Sequence, residues 1–167
     1  MATLARPHLE TLSSEMLSIL RHVGQQKFAA RFYLAGGTAL AVQVGHRLSV
    51  DFDFFSEKDE LHDESRDEIK QAMSSLNPGV ITDHVGSLLF SVNGVQTGFF
   101  GYGYPLAGKF TEFAGVLLAS PLDIGMMKLD ALIGRASRKD FYDLYFIAHQ
   151  VSIDSLLALG KTKYPYA

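Results

Sequence analysis

Apolar and polar residues alternate along this chain in short periodic segments. In "ETLSSEMLSILRHVGQQ", Leu12, Met16, Leu17, Ile19, Leu20 and Val23 recur at roughly helical spacing, which predicts an amphipathic helix. "FYLAGG" is a brief apolar run ending in glycines, the pattern of a buried strand entering a tight turn. "TALAVQVG" predicts a short helix with Thr38 at its N-cap and Gly45 at its C-cap. "SVDFDFF" alternates and is rich in aromatic residues, so it predicts a strand. "ESRDEIKQAMSSL" has helical spacing and stops at the turn signal "NPG". "GVITDHV", "SLLFSVNG" and "VQTGFFGYGY" predict short strands, with Asn93-Gly94 marking a hairpin. "PLDIGMMKLDALIG", "SRKDFYDLYFIAHQ" and "SIDSLLALGK" predict three closing helices. No repeat or low-complexity run interrupts the series.

The expected fold class is α/β (α+β), a small mixed sheet flanked by helices. The expectation is one domain over residues 1–167, with a core over about 10–150 and a C-terminal helix and tail over 151–167. "KTKYPYA" reads either as a short tail or as the trace of a longer helical region.

Composition narrows the function classes. A chain of 167 residues can bury a sizeable core. The formal net charge of −3 argues against non-specific coating of nucleic acid, though not against a local basic patch. There is no cysteine, which removes disulfides, thiolate zinc sites and a cysteine nucleophile. The N-terminus "MATLARPHLETLSSEM" lacks the apolar core of a signal peptide. "FAGVLLASPLDIGMM" is broken by Pro121 and Asp123 and is too short to span a bilayer. A soluble, cytoplasmic protein without a membrane partner is expected. The six histidines show no His-x-x-x-His pair, and no G-x-x-x-x-G-K-[ST] loop is present. "GYGYPLAG" has the wrong glycine spacing for a dinucleotide fingerprint.

The chemistry concentrates in two places. Gly36, Gly37 and Thr38 stand where a buried strand turns into a helix. Such glycines let backbone approach a ligand, and the helix start offers unpaired N–H groups to phosphate. A capped tight turn explains the same residues. Asp51 and Asp53, two apart on a strand, point to one side, with Phe52 and Phe54 on the other. Two like charges so placed favour a cation between them, Mg²⁺ (or Mn²⁺) in particular. A solvated edge strand is the equal alternative. The second place is "KLDALIGRASRKDFYDLYFIA". Lys128 and Arg135 share a helix face, and Ser137 with Asp140 fits a capping box opening a new helix. That helix would bury Phe141, Leu144, Tyr145 and Ala148, with Asp140 and Asp143 on a neighbouring face. Lys128 could neutralise a polyphosphate and Asp140 could serve as a further carboxylate or general base; caps and solvated ends account for the same spacing. Arg135, Arg138 and Lys139 form a small basic cluster that suits either a solvated junction or an RNA or triphosphate contact.

Taken together, "LAGGTALAVQVGHRLSVDFDFF" and "KLDALIGRASRKDFYDLYFIA" resemble the AbiEii/AbiGii toxin-type nucleotidyltransferases of the DNA polymerase β-like superfamily. The first motif is matched by Gly36, Gly37, Thr38, His46, Arg47, Ser49, Asp51 and Asp53. The second is matched by Lys128, Leu129, Leu132 and Arg135, and the third by Lys139, Asp140, Asp143 and Leu144. The resemblance covers roughly residues 10–150. It implies a polymerase β-like nucleotidyltransferase fold and Mg²⁺-dependent transfer of a nucleoside monophosphate from a nucleoside triphosphate. It further implies an RNA acceptor such as tRNA, and the toxin role of a type IV toxin–antitoxin or abortive-infection system with a cognate antitoxin. By this likeness Asp51 and Asp53 would hold metal, and Gly36, Gly37 and Thr38 the triphosphate. Arg47, Lys128 and Arg135 would contact phosphate, and Asp140 would assist catalysis. Two departures stand out: Gly98 occupies the place of a third strand carboxylate, and the chain stops soon after the third motif. Both leave room for a degenerate nucleotide-binding or protein-interaction module of the same fold.

Overall fold

A computed structural model describes residues 2–135 and 137–164. Its elements are β1 (Ala2–Thr3), α1 (Ser14–Gly24), β2 (Tyr33–Leu34), α2 (Gly36–Val44), β3 (Asp51–Ser56) and α3 (Asp63–Met73). They continue with β4 (Gly79–His84), β5 (Ser87–Val92), β6 (Val95–Gly101), β7 (Thr111–Phe113) and β8 (Val116–Leu118). Helices α4 (Pro121–Gly134), α5 (Arg138–Ile147) and α6 (Ile153–Lys163) close the chain. The strands form one mixed sheet in the order β1-β7-β8-β2-β3-β6-β5-β4. Central strand β3 runs antiparallel to β2 and parallel to β6. No helix among the described residues is long and apolar enough to cross a membrane.

Local sequence explains most boundaries. The Ser13 hydroxyl accepts the Met16 N–H at 3.1 Å and starts α1. Met16, Ile19, Leu20 and Val23 then line its buried stripe. Ser120 caps α4 in the same way, with Pro121 in its first turn. Ser137 and Asp140 form the expected capping box of α5.

Alternation fixes the sheet faces. Phe52 and Phe54 of β3, Phe90 of β5 and Phe99 of β6 lie on one face, and all are buried. Phe54 stacks on Phe99 with ring centroids 5.0 Å apart, and Phe28 and Phe32 meet Phe99 edge-on at 5.5 Å. Met16, Ile19 and Leu20 of α1 and Ile69 and Met73 of α3 join the same cluster. The opposite face carries Asp51, Asp53 and Phe55 on β3, with Gln96, Gly98 and Phe100 beside them on β6.

Four expectations need correction. Helix α2 begins at Gly36 with Ala35 at its N-cap, so Thr38 lies inside the first turn and caps nothing. Its hydroxyl bonds Ser49 Oγ and the Asp51 carbonyl instead, pinning the helix to the Asp strand. The hairpin of β7 and β8, which turns at Ala114 and Gly115, is absent from the elements that the sequence predicts. "KTKYPYA" is no mere tail over its first four residues: Lys161–Lys163 end α6 and Tyr164 is buried, while Pro165–Ala167 lie outside the described residues.

The fourth correction concerns α5. Leu144 and Ile147 are buried, but so are Asp140 and Asp143, and Phe141 and Tyr145 face outward with Ala148. The carboxylates occupy the inner face because three cationic or hydrogen-bonding side chains wait there, as the site shows.

Candidate active site

The chain reverses from β2 through α2 into β3, which brings the start of α2 against the carboxylates of β3. Gly36 has φ +64°, and a Cβ there would lie 2.9 Å from Asp53 Oδ2. Both the left-handed backbone and the close approach favour glycine. A Cβ on Gly37 would fall 1.8 Å from the Arg47 guanidinium, which lies directly over the turn. Among the described residues, no acceptor meets the Gly37 or Thr38 N–H. These donors belong to the positive end of α2.

Asp53 is largely buried. Desolvation first, and the neighbouring Asp51 charge second, push its pKa up to about 6, against the attraction of Lys128 and Arg135. Gly36, Asp53, Lys128 and Arg135 line one cavity of about 190 Å³, together with Phe55, Tyr102, Met127 and Asp130. Four of the residues singled out in the sequence therefore converge. Asp51 shares the face of Asp53 but lies outside the cavity wall, as do Gly37, Thr38, Arg47 and Asp140.

Behind Lys128 sits a buried ionic hub. Lys128 Nζ donates to Asp140 Oδ1 at 2.8 Å and contacts Asp143 Oδ2 at 2.9 Å. Arg47 binds Asp143 through both oxygens, Nε at 2.7 Å and Nη2 at 3.0 Å. His46 Nε2 lies 2.7 Å from Asp143 Oδ1. Burial would raise the Asp143 pKa, but the hydrogen bonds from His46, Arg47 and Lys128 prevail and hold it well below the usual carboxylate range. The Arg47 pKa is raised, chiefly by its hydrogen bond to Asp143.

Of the roles the sequence leaves open to Asp140, the contacts are those of a cap and a counter-ion. Its Oδ2 accepts from the Ser137 hydroxyl at 2.7 Å and from the Ser137 N–H at 3.3 Å, while Oδ1 holds Lys128. Burial opposes and these bonds outweigh it, so its pKa is lowered. Asp140 is thus a cap and a counter-ion, with neither oxygen presented to the cavity as a third metal ligand or a free base. Sequence reasoning gives Asp143 no task beyond its place in the third motif; that match and its i+3 spacing from Asp140 are the signals that mark it. Tyr102 and Asp130 carry no such signal. Tyr102 reaches the cavity wall through a hydroxyl contact with Tyr164 after α6.

Gly98 pairs with Asp53 in the β3–β6 register and so stands on the same face. The place where a third carboxylate was sought is therefore adjacent to Asp53, and the Phe100 ring fills the space beside it. Among the described residues, no three His, Asp or Glu side chains gather into a metal cage. The donor set that fits a divalent ion is the Asp51–Asp53 pair alone. That suits Mg²⁺, which takes one or two carboxylates and leaves its other positions to water and phosphate oxygens. The raised pKa of Asp53 marks a charge that a cation would relieve.

Paired carboxylates on the central strand face a glycine turn and a lysine, in a mixed sheet whose fold is the polymerase β-like nucleotidyltransferase fold. Solved structures of similar fold include the antibiotic-resistance factor ANT(2'')-Ia, with a TM-score of 0.65, 14% identity, and coverage of 87% of this chain and 89% of that one. JHP933 from Helicobacter pylori gives 0.58 at 20% identity, covering 95% and 78%. The Megavirus polyadenylate synthase gives 0.55 at 14% identity, covering 87% of this chain and 34% of its own. The uncharacterized protein aq_aa25 of Aquifex aeolicus (strain VF5) is 35% identical over 161 residues, spanning 93% of this chain and 77% of that relative. Residues 18–103 match the family described as nucleotidyl transferase AbiEii toxin, type IV TA system, and the chain belongs to that family.

Proposed function

We propose that the protein transfers a nucleoside monophosphate from a nucleoside triphosphate to an RNA acceptor, tRNA foremost, as the toxin of a type IV toxin–antitoxin or abortive-infection system. The observation that carries this reading is the convergence of Asp53, the start of α2, Lys128 and Arg135 on one cavity. The N–H groups of Gly37 and Thr38 and the side chains of Lys128, Arg135 and Arg47 hold the triphosphate. Asp51 and Asp53 hold Mg²⁺ or Mn²⁺, which when bound would neutralise charge on the phosphates. An acceptor hydroxyl attacks the α-phosphorus, a P–O bond forms as the α–β phosphoanhydride bond breaks, pyrophosphate leaves, and the hydroxyl proton passes to solvent. Asp140 and Asp143 act through Lys128 and Arg47 by fixing their positions. A cognate antitoxin would complete the system.

Gly98 favours a second reading, a nucleotide-binding module without turnover, because it leaves Asp53 without a carboxylate neighbour on β6. Incubation with labelled nucleoside triphosphates, Mg²⁺ and total tRNA separates the two. Transfer by the wild type that disappears in Asp51→Ala is the expected result. Triphosphate binding by calorimetry with no labelled product supports the second reading, and no binding at all removes both.

A further inference from the structure

The outward face of α5 is the one large aromatic surface in direct continuity with the ionic hub behind the cavity. Phe141 and Tyr145 are 57% and 61% exposed, and Tyr142 is 47% exposed. Arg138 and Lys139, one turn earlier, are also exposed, and no ion pair engages either among the described residues. Arg135, which lines the cavity itself, has a side chain 68% exposed. Along the chain from the cavity-lining Arg135, the order is therefore cation, cations, aromatic rings.

One of the rings, Tyr142, is also held in place. Tyr142 stacks on His46 with centroids 5.9 Å apart and donates its hydroxyl to the His46 carbonyl at 3.4 Å. His46 in turn is bound to Asp143, the residue that holds Lys128. A base stacked on this face would thus rest on a surface fixed to the hub behind the cavity. In a chain of net charge −3, a separate cluster of unpaired cations beside exposed rings is the footprint of single-stranded nucleic acid rather than of an apolar protein face.

We propose that the α5 face, headed by Arg138 and Lys139, is the platform on which the single-stranded 3′ end of an RNA acceptor stacks and is led to the cavity. This rests on the transferase reading above and adds where, and by what contacts, the acceptor is held.

The test uses the full chain and a 5′-fluorescein-labelled single-stranded oligoribonucleotide, read by anisotropy without nucleoside triphosphate. Tyr145→Ala and Phe141→Ala should each weaken binding about fivefold or more, as loss of one stacked base requires. Tyr145→Phe should stay within about twofold, because the ring face remains. Arg138→Gln with Lys139→Gln should flatten the slope of log affinity against log salt by about 1.4. Triphosphate binding, measured separately by calorimetry, should be unchanged in all four variants. No RNA binding by the wild type, or equal binding by the alanine variants, overturns the proposal. So does a self-association in sedimentation that Tyr145→Ala abolishes, since the face would then be a protein interface. Failure of the transferase reading registers as the absence of labelled product in the transfer assay and leaves the anisotropy result standing by itself.

Discussion

Strand β3 and helix α5 are built from the same materials and turned opposite ways. Each sets two aspartates on one face and aromatic rings on another. In β3, Phe52 and Phe54 enter the core, while Asp51 and Asp53 lie on the opposite face, where Asp53 lines the cavity. In α5 the aspartates enter the protein and the rings face outward. The difference lies in what waits on the far side. Inward of β3 are Phe28, Phe32 and Phe99, which accept only apolar surface. Inward of α5 are Lys128, Arg47 and His46, which satisfy a carboxylate completely. Hydropathy decides burial only where no partner of opposite charge is offered.

The contrast predicts opposite responses to removing a carboxylate. Asp143→Ala leaves Arg47 without its counter-ion and Lys128 with Asp140 alone, and should cost about 3–5 kcal/mol in denaturant unfolding. A loss under 1 kcal/mol would mean that the hub is solvated and the comparison false. Asp53→Asn should do the reverse in metal-free protein, because Asp53 is ionised against burial and against Asp51. Its pKa of about 6 lies above that of the unfolded chain, so the folded protein binds more protons between about pH 4 and 6. Wild-type stability should therefore fall as pH rises through that window and level off above it. Asp53→Asn should lose this slope and be more stable at pH 8 by on the order of 2 kcal/mol, while losing transfer. Urea titrations at pH 4, 6 and 8 check both statements. The smallest effect belongs to the outer face of α5: Phe141→Ala should change unfolding free energy by no more than about 0.5 kcal/mol. A larger loss would show that its ring is core after all.

Legibility in the sequence followed the range of the interactions. Helix α1, strands β3 to β6, the Asn93-Gly94 hairpin and the Ser137–Asp140 box were readable because period and capping are local properties. Strands β1, β7 and β8 were not, since two or three residues carry no period and β1 pairs with a strand more than a hundred residues away. The start of α2 was missed because Thr38 looks like a cap until Ser49 and the Asp51 carbonyl claim its hydroxyl. In the candidate site, Asp51, Asp53 and Lys128 were singled out by residue type and spacing; Asp53 and Lys128 line the cavity, and Asp51 shares the sheet face of Asp53. The inversion of α5 was not, because it depends on His46 and Arg47, 97 and 96 positions from Asp143.

The arginine lying across Gly37 has a consequence for descent. A side chain at position 37 and the guanidinium of Arg47 compete for one space. A serine at 37 therefore fits only once the guanidinium, the far end of a flexible side chain, swings aside. The arginine's bond to Asp143 would then be inherited in altered form, so drift at the turn would be recorded in α5.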